Sequence, residues 1–106
     1  DGVRAGLRSL LGELDVYCDV VDPVAPERGT AVFRISDELA SVAADLSHGL
    51  AHHAHGRTAE ALWWWQYSYL ASWGPALLSA HRAVQSLVAH TLLDADTAMA
   101  TPRRLR

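Results

Sequence analysis

Val3, Leu7, Leu10, Leu11 and Leu14 recur every three or four residues, with Arg4 and Arg8 between them, and this spacing predicts an amphipathic helix over residues 3–14. Gly6 and Gly12 weaken that helix, each by about 1 kcal/mol relative to alanine. Tyr17 to Val21 read as a continuation of it or one further turn. Asp22–Pro23 ends it, because the residue before a proline is pushed out of the helical region. Pro23, Pro26, Gly29 and Thr30 form a connecting loop, and Ala31–Val32–Phe33 a short extended anchor. A second helix starts at Ser36, a favourable N-cap, with Asp37 and Glu38 in the first turn where the helix dipole attracts negative charge. Its apolar stripe is Ile35, Leu39, Val42, Leu46 and Leu50, extended to His53, and Gly56 stops it.

Thr58 is the expected N-cap of a third helix, rich in tryptophan, from Ala59 to Trp73. An alternating strand would set Trp63, Trp65, Tyr67 and Tyr69 against Trp64, Gln66 and Ser68. The alanines at 59, 61 and 71 and the Thr58–Glu60 opening favour the helix. Leu62, Trp65, Tyr69 and Trp73 then share the core face, and Trp63, Gln66, Tyr67 and Leu70 the adjoining one. Trp64 fits neither and is expected to be exposed. Gly74–Pro75 breaks the chain and opens a fourth helix carrying Leu77, Leu78, His81, Val84, Leu87, Val88 and Leu92, fading at Asp94, Asp96, Thr101 and Pro102. The expected fold is all-α: one domain over residues 1–106, a small irregular up-down bundle of about four helices with a proline-rich connecting loop.

Composition narrows this picture. The chain has 106 residues, half of them apolar and a fifth charged, an ordinary globular mix for one domain. A net charge of −3 spread along the chain gives no nucleic-acid footprint. Arg103, Arg104 and Arg106 make a local basic end, read as solvated. No apolar run is long enough to span a bilayer, so no membrane partner is expected. With Cys18 alone, no internal disulfide can form, and a reducing, cytoplasmic setting is expected. Because the chain opens on Asp1, it reads as a piece of a longer parent.

Six histidines bring in candidate chemistry. Asp45, His48, His52 and His55 share one face of helix two, and Asp45, His48 and His52 are the candidates for a metal. A single helix rarely closes a tetrahedral site, so a polar solvated face is the plainer reading, and no cofactor is expected. His81 sits among apolar residues and is the one candidate for proton transfer, in a pocket between helices three and four with Tyr69 and a tryptophan wall. No nucleophile has a triad setting. Trp64, Trp63, Tyr67 and Trp73 are the candidate ligand or interface residues, since interfaces are enriched in Trp and Tyr.

Several segments together carry a resemblance: Val21–Asp22–Pro23, Ile35 to Ala40, Asp45–Leu46 with Gly49–Leu50, Gly56–Arg57, Ala61 to Tyr69, Trp73–Gly74 and Arg82 to Leu87. In order and spacing they resemble a bacterial family known as domain of unknown function 5063, in an actinobacterial wording, over about residues 17–92. The resemblance implies a helical domain and no established activity. His53–Ala54–His55 and Pro75 depart from the family's pattern, and the N-terminal helix lies largely outside it. The expectation is a non-catalytic module that binds another protein or itself as a homo-oligomer. The His81 pocket and the His/Asp metal site are its alternatives.

Overall fold

The computed structural model describes the backbone of residues 2–27 and 29–100, and side chains as far as Asp94. The arginines at 103, 104 and 106, and the helix-ending signal at Thr101–Pro102, lie outside the described residues. Helix α1 spans Gly2–Leu11 and gives way to a 3-10 turn at Gly12–Asp15. Gly12 takes φ +55, a left-handed conformation that stops the helix short of the expected residue 14.

The segment expected to prolong this helix is a strand. Strand β1, Val16–Val20, pairs antiparallel with β2, Thr30–Arg34, in the register Val16↔Arg34 to Val20↔Thr30. Val16, Val20 and Tyr17 suit a pleated surface, and only one side is covered: Tyr17, Asp19, Ala31 and Phe33 are half-buried while Val16, Cys18, Val20 and Val32 are exposed. Tyr17 and Phe33 pack cross-strand with ring centroids 5.8 Å apart. The proline loop is therefore the hairpin's connection, closed by Val21 N–H donating to Gly29 C=O at 2.9 Å. The fold is mostly helical with a small hairpin, rather than all-α.

Helix α2, Ile35–Ala54, is the hub and packs on α1, β2 and the later helices. It ends as expected, with Gly56 at φ +77 and Arg57 N–H returning to His52 C=O. Its buried stripe is Ile35, Ala40, Val42 and Gly49, with Leu39 and Leu46 half-buried; Leu50 and His53 are exposed. The stripe departs from the expected one because Gly49 seats the Trp65 indole, and a Cβ there would overlap its nitrogen.

Helix α3, Thr58–Ser68, a π-helical segment Tyr69–Trp73 and helix α4, Gly74–Ala100, run on without interruption. The molecule thus has three helical rods, and Gly74–Pro75 is no break. Proline lacks an N–H, and its ring would strike the carbonyl four residues earlier. The wider π turn, with Gly74 N–H donating to Tyr69 C=O, absorbs this misfit. Gly74 itself has no room for a Cβ, which would meet the Tyr69 carbonyl. Around Ile35, the core is completed by Ala80 and Ala83 of α4, flanked by Leu11, Tyr17, Leu39 and Leu87.

Neither expected serine or threonine cap acts as one. No side-chain cap bond closes the start of α2 or α3. Instead, the fully buried Asp15 accepts the Ser36 N–H at 2.7 Å and the Ser36 hydroxyl at 2.6 Å, capping α2 from another segment. Arg34 and Arg8 stand 3.6 and 4.0 Å from the same carboxylate.

Candidate functional site

The tryptophan-rich helix divides its aromatics between packing and solvent. Trp64, Trp65 and Trp73 are half-buried, and each indole N–H finds a carbonyl: Trp64 to Asp45 at 2.8 Å, Trp65 to Leu46 at 3.2 Å and Trp73 to Trp65 at 3.3 Å. Trp64 also packs on His48, with centroids 4.5 Å apart, so it is not the leftover aromatic that its helical position suggested. A helix wedged against α2 over a glycine buries a wider arc than a single stripe. That arc reaches Trp64 and leaves Leu62, expected in the core, 59% exposed.

The exposed aromatics are Trp63, Tyr67 and Tyr69, the last of which was expected in the core. Trp63 and Tyr67 stack at 5.2 Å with an interplanar angle of 3°, and are 64% and 52% exposed. Leu70, three residues on, is 71% exposed. Beyond the π turn, Leu78, His81, Gln85, Val88 and Leu92 repeat at +3, +4, +3 and +4 and are all exposed. From Ala61 to Leu93 there is no carboxylate, and Arg82 is the only arginine. The outward side of this rod is therefore a long, nearly uncharged stripe with an aromatic pair at one end.

His81 lies on that stripe, exposed, and lines neither of the two clefts described below. Neither cleft brings it together with Tyr69. The metal candidates also separate. Asp45 accepts the Ser72 hydroxyl at 2.6 Å, away from the histidine pair. Arg57 Nε donates to His52 Nδ1 at 3.0 Å, which leaves His52 Nε2 to donate to His48 Nε2 at 3.3 Å. Among the described residues no group of three or more His, Cys, Asp or Glu side chains is placed to hold a metal ion.

Two clefts that the sequence did not announce flank the hairpin. One, of about 380 Å³, lies between β1 and α4 and reaches Cys18 and His90. The other, of about 670 Å³, is bounded by the hairpin, α2, the π segment and α4. Between them Ser79 donates to Asp19 at 2.7 Å and, its proton so committed, accepts from the Tyr17 hydroxyl at 2.6 Å. Burial pushes the Tyr17 phenol up; the Ser79 bond opposes this, and the charges of Glu38 and Asp19 reinforce it. No histidine is hydrogen-bonded to the serine among the described residues, and the relay runs from tyrosine to serine to aspartate. Its members lie 60 and 62 residues apart, so no local motif could signal it.

The family model described as "Domain of unknown function (DUF5063)" matches residues 1–90. The match takes in α1, which the resemblance carried by individual motifs leaves outside. No curated protein and no solved structure matches the chain significantly. No helix among the described residues is long and apolar enough to cross a membrane.

Proposed function

The chain thus belongs to the DUF5063 family, whose description assigns no activity, and we propose that it is a non-catalytic association module that pairs with a second copy of itself. The observation that carries this reading is the outward stripe of the third rod, where Trp63, Tyr67, Val88 and Leu92 are exposed and no acid interrupts them. An aromatic pair in an apolar, charge-poor setting has the composition of an interface centre.

A standard stable interface buries roughly 800 Å² on each partner. A pair of such stripes in contact is isologous, so each patch needs only itself as partner.

Light scattering on the size-separated protein tests this. Wild type is expected at twice 11.5 kDa, and Trp63→Ala/Leu70→Ser at 11.5 kDa with an unchanged helical circular dichroism spectrum. A wild-type mass of 11.5 kDa at all concentrations tested would overturn the reading. Trp64→Ala, in contrast, is expected to loosen the fold, because it removes the indole's hydrogen bond to α2.

A further inference from the structure

Glu38 is a half-buried carboxylate with no hydrogen bond and no ion pair among the described residues, and it lines the 670 Å³ cleft. The neighbouring cations are engaged elsewhere. Arg4 and Arg8 meet Asp37 at 2.9 and 2.7 Å, and Arg34 stands by Asp15. Arg82, exposed at the cleft's rim, makes no ion pair with Glu38. The other acid of the cleft, Asp19, is satisfied: it takes the Ser79 hydroxyl on one oxygen and the Val20 N–H on the other. Burial raises the Glu38 carboxyl above its ordinary value, and the charge of Asp37 adds to this. A carboxylate kept in this state costs the fold stability that a glutamine of the same shape would not.

The cleft is mixed, with the hydroxyls of Ser41, Ser72 and Ser79 set between apolar residues. Phe33, Tyr69, Leu78 and Pro75 form walls around the acid. Its volume falls in the range of about 300–1,000 Å³ typical of small-molecule sites. An open cleft with apolar walls and one carboxylate that no protein group pairs is complementary to a ligand with a hydrocarbon or aromatic body and one positively charged, hydrogen-bond-donating end. We propose that the cleft between the hairpin and α4 binds a small apolar amine, its ammonium on Glu38 and its body against Phe33, Tyr69 and Leu78.

Chemical-shift perturbation on the full chain tests this with phenethylamine, tryptamine and the neutral phenethyl alcohol. At least one amine is expected to shift the amides of Phe33, Glu38 and Ser79, with the alcohol binding at least about tenfold more weakly. Glu38→Gln is expected to lose at least about tenfold in amine affinity while melting no lower than wild type. That pairing separates a ligand-binding acid from a structural one, whose removal would cost stability. Equal binding of amine and alcohol, undiminished binding by Glu38→Gln, or no response to either amine up to about 10 mM would overturn the proposal. Running the titration on Trp63→Ala as well keeps it independent of self-association, since Trp63 does not line the cleft.

Discussion

At the scale of single residues, two carboxylates twenty-three positions apart work in opposite directions. Burial alone would raise the Asp15 carboxyl, but the Ser36 hydroxyl and N–H and the Arg34 guanidinium bring it below its ordinary 3.8. Its stabilising effect is therefore complete above pH 3.8 and is lost as pH falls through the folded value. Glu38 is raised above 4.5, so the fold gains from its protonation below that pH and loses that gain as pH rises through the folded value. Thermal melts from pH 7 down to strong acid should separate them. Asp15→Asn should flatten the acid loss, whereas Glu38→Gln should exceed wild type at pH 7 and converge with it below pH 4.5. Asp15→Ala, which orphans the buried Ser36 N–H and hydroxyl, should cost about 2–4 kcal/mol in denaturant unfolding. Ser36 was legible as the start of α2, but not as a ligand of Asp15, because that partner lies 21 residues away. Trp63 and Trp64 illustrate the same limit. Both are apolar on one helix, and only the docking angle against α2 decides which is covered.

At the scale of elements, α2 and α3 were readable because their apolar residues repeat over three or more turns, and Gly56 marks their separation with a left-handed turn. Strand β1 was not, since five residues following a helix pattern fit either state until their partner strand is known. The continuous α3–α4 rod was missed for a different reason. Gly74–Pro75 is a sound breaking signal in an α-helix, but a π turn supplies the extra residue that lets the chain continue. Gly49 is the most informative position at this scale. By intrinsic propensity, Gly49→Ala should stabilise α2 by about 1 kcal/mol. The added Cβ would overlap the Trp65 indole, however, and displace its hydrogen bond to Leu46. Overpacking costs of about 1–3 kcal/mol, together with the lost bond, outweigh the propensity gain. Gly49→Ala is therefore expected to unfold at lower denaturant than wild type, and a higher midpoint would show that Trp65 can move aside without loss.

At the scale of the molecule, the chain is drawn out rather than compact. Its Cα radius of gyration is 17.8 Å and its extents are 60 × 36 × 19 Å. A compact chain of this length has a radius of about 13 Å. The buried core is made of Ile35, Val42 and small alanines, while Leu, Val and aromatic side chains stand on the surface of the third rod. Composition gave no warning of this, because half the residues are apolar in either case and periodicity does not say which face finds a partner. Under the proposed pairing, covering that face would add to the stability of a fold with so small a core. Pairing then links stability to concentration by mass action. For a dimer that unfolds to monomers, each tenfold rise in chain concentration adds about 1.4 kcal/mol per dimer. For a domain of this size the melting temperature should climb by roughly 2–5 °C per decade. Trp63→Ala/Leu70→Ser should abolish that climb and bring the melt down to the level of the isolated chain. A wild-type melting temperature that does not move over two decades of concentration would mean that the stripe stays bare, and that the fold stands on the Ile35 core alone.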